Sequence, residues 1–215
     1  MFSKALNKRL LREMKELNTY GNGNDNDNNN NNGNQEEGKS IVIKQLQLIY
    51  PFDGDILPKT ADSYHITRNT PYLKIKIDKN DLIVNVDKDY PFKPPVLLIN
   101  NIHYNKRYKI SDKDMLEELF HRFKFHCLCC ETVMCSGRGL WSPARHISHI
   151  LDEYKHFKLI KQYLSAYKAL LCLNMYNEVT LPPEMIMMIS DYLFKLYAAE
   201  ATPNLLGHHS LKWNI

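Results

Sequence analysis

Three prolines fall within five residues in Tyr90-Pro91-Phe92-Lys93-Pro94-Pro95, and they limit what can lie on either side. Each proline fixes φ and removes a backbone donor, so this stretch cannot continue as an interior strand. The run just upstream, Leu82 to Val86, is short and apolar in the manner of a strand. A sheet that arrives here must therefore leave along a rigid, extended path. Further upstream, Ile41, Ile43, Leu46 and Leu48 alternate with polar residues, and Tyr72 to Ile77 alternates lysine with leucine and isoleucine. Pro51, Gly54, Pro58 and Pro71 break these runs. The pattern predicts an antiparallel meander of about four strands. Helical spacing takes over afterwards, across Lys113–Lys124, Pro143–Leu170 and Pro183–Ala199. Strands first and helices later is the α+β arrangement.

Four regions follow. Residues 1–17 read as an amphipathic helix, with Ser3 as its cap and Leu6, Leu10, Met14 and Leu17 at helical spacing. Residues 18–40 are dominated by Asn and Gly, with Asp, Gln and five asparagines in a row, a disordered insert that has almost nothing apolar to bury. Residues 41–155 form the core, with an inserted helix at about 106–125. Residues 156–215 form a helical extension. Within it, Leu181-Pro182-Pro183-Glu184-Met185 opens a plain packing helix.

Composition excludes some classes of function. A net charge of +4 with scattered basic residues lacks the concentrated stripe of a nucleic-acid binder. The apolar runs fall well short of the ~18 residues that span a bilayer, so no membrane contact is expected. Lysines and arginines recur through the first fifteen residues where a secretory signal would be apolar. A cytoplasmic or nuclear setting follows (the host cytoplasm for a viral chain), where cysteines serve as thiols, metal ligands or nucleophiles rather than staples. Four of the five cysteines, Cys127, Cys129, Cys130 and Cys135, fall within nine residues. Cys172 stands apart, as a small core residue.

Two anchors carry a family resemblance. Asp89–Pro95 after its strand, and Trp141-Ser142-Pro143-Ala144 ahead of Ile147, Ile150 and Leu151, together resemble ubiquitin-conjugating enzymes. Lys8–Leu17 and Thr70-Pro71-Tyr72 match the family's first helix and strand entry, in the same order. In that pattern Ser142 caps a helix whose first turn holds Pro143. His103-Tyr104-Asn105 stands where the family has His-Pro-Asn, and the stretch from Asn105 to the cysteines is longer than in the family.

The resemblance implies a carrier that accepts ubiquitin or a related modifier as a cysteine thioester and passes it to a lysine amine. Such a carrier needs no cofactor of its own, because ATP is used by the upstream activating enzyme. Cys130 is preferred as the carrier over Cys127. It lies eleven residues before Trp141, and Val133 and Met134 supply apolar residues at the family's offsets. Asn105 takes the role of the amide that steadies the oxyanion. The activating enzyme, ligases and protein substrates are the implied partners. Lys8, Arg9, Arg12, Phe92, Pro143 and Ala144 are the partner-binding residues, with Phe92 equally able to serve in the core. Two other readings stay open. One is an inactive scaffold of the same fold. The other is a zinc-stabilised interaction protein, in which Cys127-x-x-Cys130 is completed by Cys135 and His126 as a structural site.

Overall fold

A computed structural model describes residues 4–22, 43–50, 71–77, 79–134, 140–176 and 180–197. Ser3, Ile41, the Asn-rich run and Cys135 lie outside the described residues. The fold is α+β: an N-terminal helix, a five-stranded antiparallel sheet, and helices afterwards. The chain forms two compact units, Met1–Arg107 with Met134–Leu151, and Tyr108–Val133 with Asp152–Ile215.

In the first unit, α1 (Lys4–Asn22) precedes β1 (Ile43–Ile49), β2 (Tyr72–Ile77), β3 (Asn80–Asn85), β4 (Val96–Ile99) and β5 (Ile102–His103), which pair in sequence order. The alternation in β2 is literal: Leu73, Ile75 and Ile77 are buried, whereas Lys76 is exposed. β3 is buried along most of its length, through Leu82, Ile83, Val84 and Asn85. The fifth strand, absent from the sequence reading, is two residues long and depends on its turn. Asn100 and Asn101 both take positive φ, 50° and 64°, as a tight hairpin turn requires and as asparagine tolerates. The Asn100 side chain accepts from the Asp81 N–H and donates to Asn80, which locks the turn onto β3. The short helix α2 (Tyr104–Arg107) follows at once, with Tyr104 buried.

The proline segment ends β3 as its chemistry requires. The Phe92 and Lys93 N–H groups turn back to the Asp89 carbonyl at 2.8 and 3.1 Å, and the Tyr90–Pro91 peptide is cis. α1 buries Leu6, Leu10 and Leu17 and continues past Leu17 to Asn22.

The second unit contains α3 (Lys113–Phe123), α4 (Leu128–Glu131), α5 (Ile147–Tyr176) from Asp152 onward, and α6 (Pro183–Tyr197). Asp112 caps α3 by accepting the Met115 N–H, and Lys124 ends it with a left-handed φ of 59°. Leu119 and Phe123 are buried, and Phe123 meets Tyr163 and Phe194 at ring separations of 6.2 and 5.5 Å. Glu118, also buried, is met by Arg122, the Tyr163 hydroxyl and Ser190. Among the described residues, no helix is long and apolar enough to cross a membrane.

One local expectation is corrected. The helix after Trp141 begins at Ile147, not at Pro143. Residues Ser142–Arg145 instead close a turn in which the Arg145 N–H donates to the Ser142 carbonyl at 2.9 Å. Ser142 therefore caps no helix.

Candidate functional site

The two sequence anchors meet within the first unit. Trp141 Nε1 donates to the Pro91 carbonyl at 2.7 Å, and the Trp141 and Tyr90 rings lie 6.1 Å apart. Beneath them sits Glu13, whose side chain is wholly buried. It accepts from the Tyr90 hydroxyl at 2.8 Å and from the Ile147 N–H at 2.9 Å, and it pairs with Arg9 Nε at 2.7 Å. The start of α5 is thus capped from another helix, by a carboxylate at the positive end of its dipole. Arg9 also donates to the Arg145 carbonyl at 2.8 Å and lies over the Tyr90 ring. His146 Nδ1 approaches Glu16 at 2.7 Å and Glu13 at 3.4 Å, and Ser148 donates to Glu16. Burial first, and then the Glu13 charge, push the Tyr90 phenol far above its ordinary value, so it remains a donor. Glu13, Glu16 and His146 lie close enough together to hold a metal, but Arg9 already supplies the cation against Glu13.

The cysteines belong to the second unit. Cys127 is extended, and its carbonyl accepts the Cys130 and Glu131 N–H groups at 3.2 Å each, closing the single turn of α4. Leu128 and Glu131 are buried beneath this turn. Beyond it, Glu153 of α5 accepts from the Thr132 hydroxyl at 2.5 Å and the Val133 N–H at 2.7 Å, and both residues are buried. The segment that carries Cys127, Cys129 and Cys130 is therefore pinned just past Cys130. Cys127 and Cys129 form a disulfide, contrary to the expectation of thiols throughout, because two residues' separation brings their Cα atoms to 5.5 Å, within disulfide reach. Cys130 is a free, exposed thiol, with its sulfur 3.8 Å from that of Cys129. Cys172 is free and half-buried.

The other sequence-predicted residues are distributed as follows. Lys8 and Arg12 are exposed on α1, while Arg9 is engaged with Glu13 and Arg145. Phe92 is 79% exposed, which excludes it from the core, and Pro143 and Ala144 are exposed. Asn105 lies on α2, and its buried Oδ1 has no hydrogen-bond partner among the described residues. Asn105 and Cys130 belong to different units. His126, proposed as a zinc ligand, stacks on Phe120 at 4.9 Å. Among the described residues, the cysteine sulfurs that come together are those of Cys127, Cys129 and Cys130.

Glu13 and Glu153 were missed by sequence reasoning. Both interrupt apolar stripes, Glu13 between Leu10 and Leu17 and Glu153 between Ile150 and Phe157. A carboxylate at an apolar position of a helical repeat was the available signal. Compared with known proteins, the chain matches no family model, no curated protein and no solved structure.

Proposed function

We propose that the chain is a ubiquitin-conjugating-type carrier, with Cys130 as the thiol that accepts the modifier. The observation that supports this most is the bond from Trp141 to the Pro91 carbonyl, which joins two motifs fifty residues apart. These two motifs carry the family resemblance, and their contact is a long-range consequence that neither motif specifies alone. Cys130 adds the chemistry, as the exposed free thiol among the described residues.

In the forward step the Cys130 thiolate attacks the activated carbonyl of the modifier and displaces the activating enzyme's thiolate, leaving one thioester in place of another. A substrate lysine amine then attacks that carbonyl. The C–S bond breaks, Cys130 departs as thiolate, and the amine gives up its proton as the amide forms. The exposed Lys8, Arg12, Phe92, Pro143 and Ala144 form the proposed partner-facing set.

Incubation with activating enzyme, ubiquitin and ATP should give an adduct that collapses with dithiothreitol. Cys130→Ser should give none, or a slower oxyester that survives reductant, because an alkoxide leaves less readily than a thiolate. Loss of the adduct in Cys127→Ser alone would move the site to Cys127. No adduct with ubiquitin or any related modifier would leave the non-catalytic scaffold as the better account.

A further inference from the structure

We infer that Cys127, Cys129 and Cys130, once reduced, form an all-thiolate site for a single thiophilic cation, Cu(I) above others. The inference is independent of the carrier reading, since a chain that never formed a thioester would bind the ion equally well. It differs from the zinc set predicted from the sequence in both its ligands and its metal.

Three sulfurs within 4.8 Å of one another come from one turn of chain. A metal at about 2.3 Å from each sulfur holds ligand pairs about 3.8–4.0 Å apart in tetrahedral or trigonal geometry. The Cys129 and Cys130 sulfurs are already 3.8 Å apart. Cys127 and Cys129 are joined in the oxidised form, with Cα atoms 5.5 Å apart, so their sulfurs can separate by side-chain rotation alone. The backbone of the turn is held within the cluster, by the Cys127 carbonyl accepting from Cys130 and Glu131, and just after it, by Glu153 holding Thr132 and Val133. The ligands are thus gathered before the ion arrives, and little ordering remains to oppose binding.

The choice of ion follows from donor type and number. Soft thiolates select Cu(I), zinc and iron–sulfur centres. Structural zinc takes four ligands, and the group among the described residues has three, Cys127, Cys129 and Cys130, without His126. Three thiolates suit a trigonal monovalent ion. The oxidised and metal-bound forms exclude each other. Opening the Cys127–Cys129 bond consumes two electrons from a thiol or phosphine reductant and places two protons on the sulfurs. Binding the ion then releases three protons as three S–H groups become S–Cu bonds.

The test uses the full chain, reduced with a phosphine and kept anaerobic, and titrated with Cu(I) buffered by bicinchoninate. One equivalent should be withdrawn from the chelator. Thiols reactive toward Ellman's reagent should fall from five to two, those of Cys135 and Cys172. Cys129→Ser and Cys130→Ser should each weaken binding by more than the roughly 10–100-fold that an outer-shell partner alone is worth. Cys135→Ser and Cys172→Ser should bind as the parent does. Cys130 is exposed, so Cys130→Ser carries the test where Cys129→Ser does not fold, as judged by circular dichroism. Failure to compete with the chelator, or unaltered binding by Cys130→Ser, would overturn the site. Tighter binding of zinc than the parent's copper complex explains, lost in Cys135→Ser, would overturn the ion and restore a four-ligand set.

Discussion

Glu13 in the first unit and Glu153 in the second perform the same task with different means. Each is a buried helical carboxylate that holds an irregular stretch of backbone next to a motif. Glu13 meets a guanidinium, a phenol and a backbone N–H, whereas Glu153 accepts from a hydroxyl and a backbone N–H. The comparison shows how the cost of burying a carboxylate is offset, with a guanidinium among the partners of Glu13 and the Thr132 hydroxyl and Val133 N–H among those of Glu153. It also orders the consequences of removing each. Glu13→Ala leaves the Arg9 guanidinium largely buried without its carboxylate, together with two orphaned donors, and should cost about 3–5 kcal/mol. Chemical denaturation would measure this. A loss no larger than that of Glu153→Ala would erase the distinction.

Glu153→Ala removes the acceptor of two neutral donors, the Thr132 hydroxyl and the Val133 N–H, and should cost about 1–3 kcal/mol for that loss. Its more telling effect is local. With Thr132 and Val133 released, the thiol segment should loosen, and the reduced protein's Cys130 should react faster with an alkylating probe while the first unit's stability is unchanged. An unaltered Cys130 rate would mean that Glu153 stabilises the unit without holding the turn.

Alkaline pH probes the Glu13 side of the comparison. An unfolded tyrosine ionises near about pH 10, while folded Tyr90 is held far above that by burial and by Glu13. Above pH 10 the unfolded chain therefore loses a proton that the folded chain keeps, so stability is present below pH 10 and falls as pH rises, by up to about 1.4 kcal/mol per unit for this group. Tyr163, raised likewise by burial first and then by Glu118, adds to the fall. Tyr90→Phe should cost about 1.5 kcal/mol at neutral pH for the lost charge-assisted bond. It should also flatten the alkaline slope by Tyr90's share and leave that of Tyr163. Denaturation midpoints at several pH values provide the measurement, and an unchanged slope would mean that Tyr90 ionises freely in the folded state.

Much of the sheet was legible because its signals are local. The lysine alternation in Tyr72–Ile77 and the proline stop at Pro91 read directly as strand and exit. The two-residue β5 was not, because it depends on left-handed φ at Asn100 and Asn101 and on Asn100 reaching back to β3. The start of α5 was misjudged for a related reason. Ser142-Pro143 has the composition of a helix entry, but the donor that needed satisfying, the Ile147 N–H, is met by Glu13, 134 residues earlier in the chain. At the cysteines, spacing suggested Cys127 with Cys130, whereas the backbone turn brings Cys127 and Cys129 together and leaves Cys130 exposed. Periodicity reports which face a residue occupies, and it is silent about which distant group will meet it there.

Phe92 should give the smallest effect on stability and sharpens the comparison from the outside. It stands two residues from Tyr90, on the same proline-bounded turn, yet Tyr90 is 4% exposed and Phe92 is 79% exposed. If the turn is held from within by Tyr90, Glu13 and Trp141, then Phe92 contributes little to folding, and Phe92→Ala should change stability by less than about 0.5 kcal/mol. A loss of several kcal/mol would instead make it a core residue. Large exposed aromatics on rigid supports are common anchors in protein interfaces. Under the proposed function, Phe92→Ala should therefore slow ligase-dependent discharge of the Cys130 thioester while leaving discharge to free lysine unchanged. Equal slowing of both would place the defect in the thioester's own environment and not at a partner-facing surface. Slowing of neither would leave the exposure of Phe92 without a role in transfer, and the partner-facing set would then rest on Lys8, Arg12, Pro143 and Ala144.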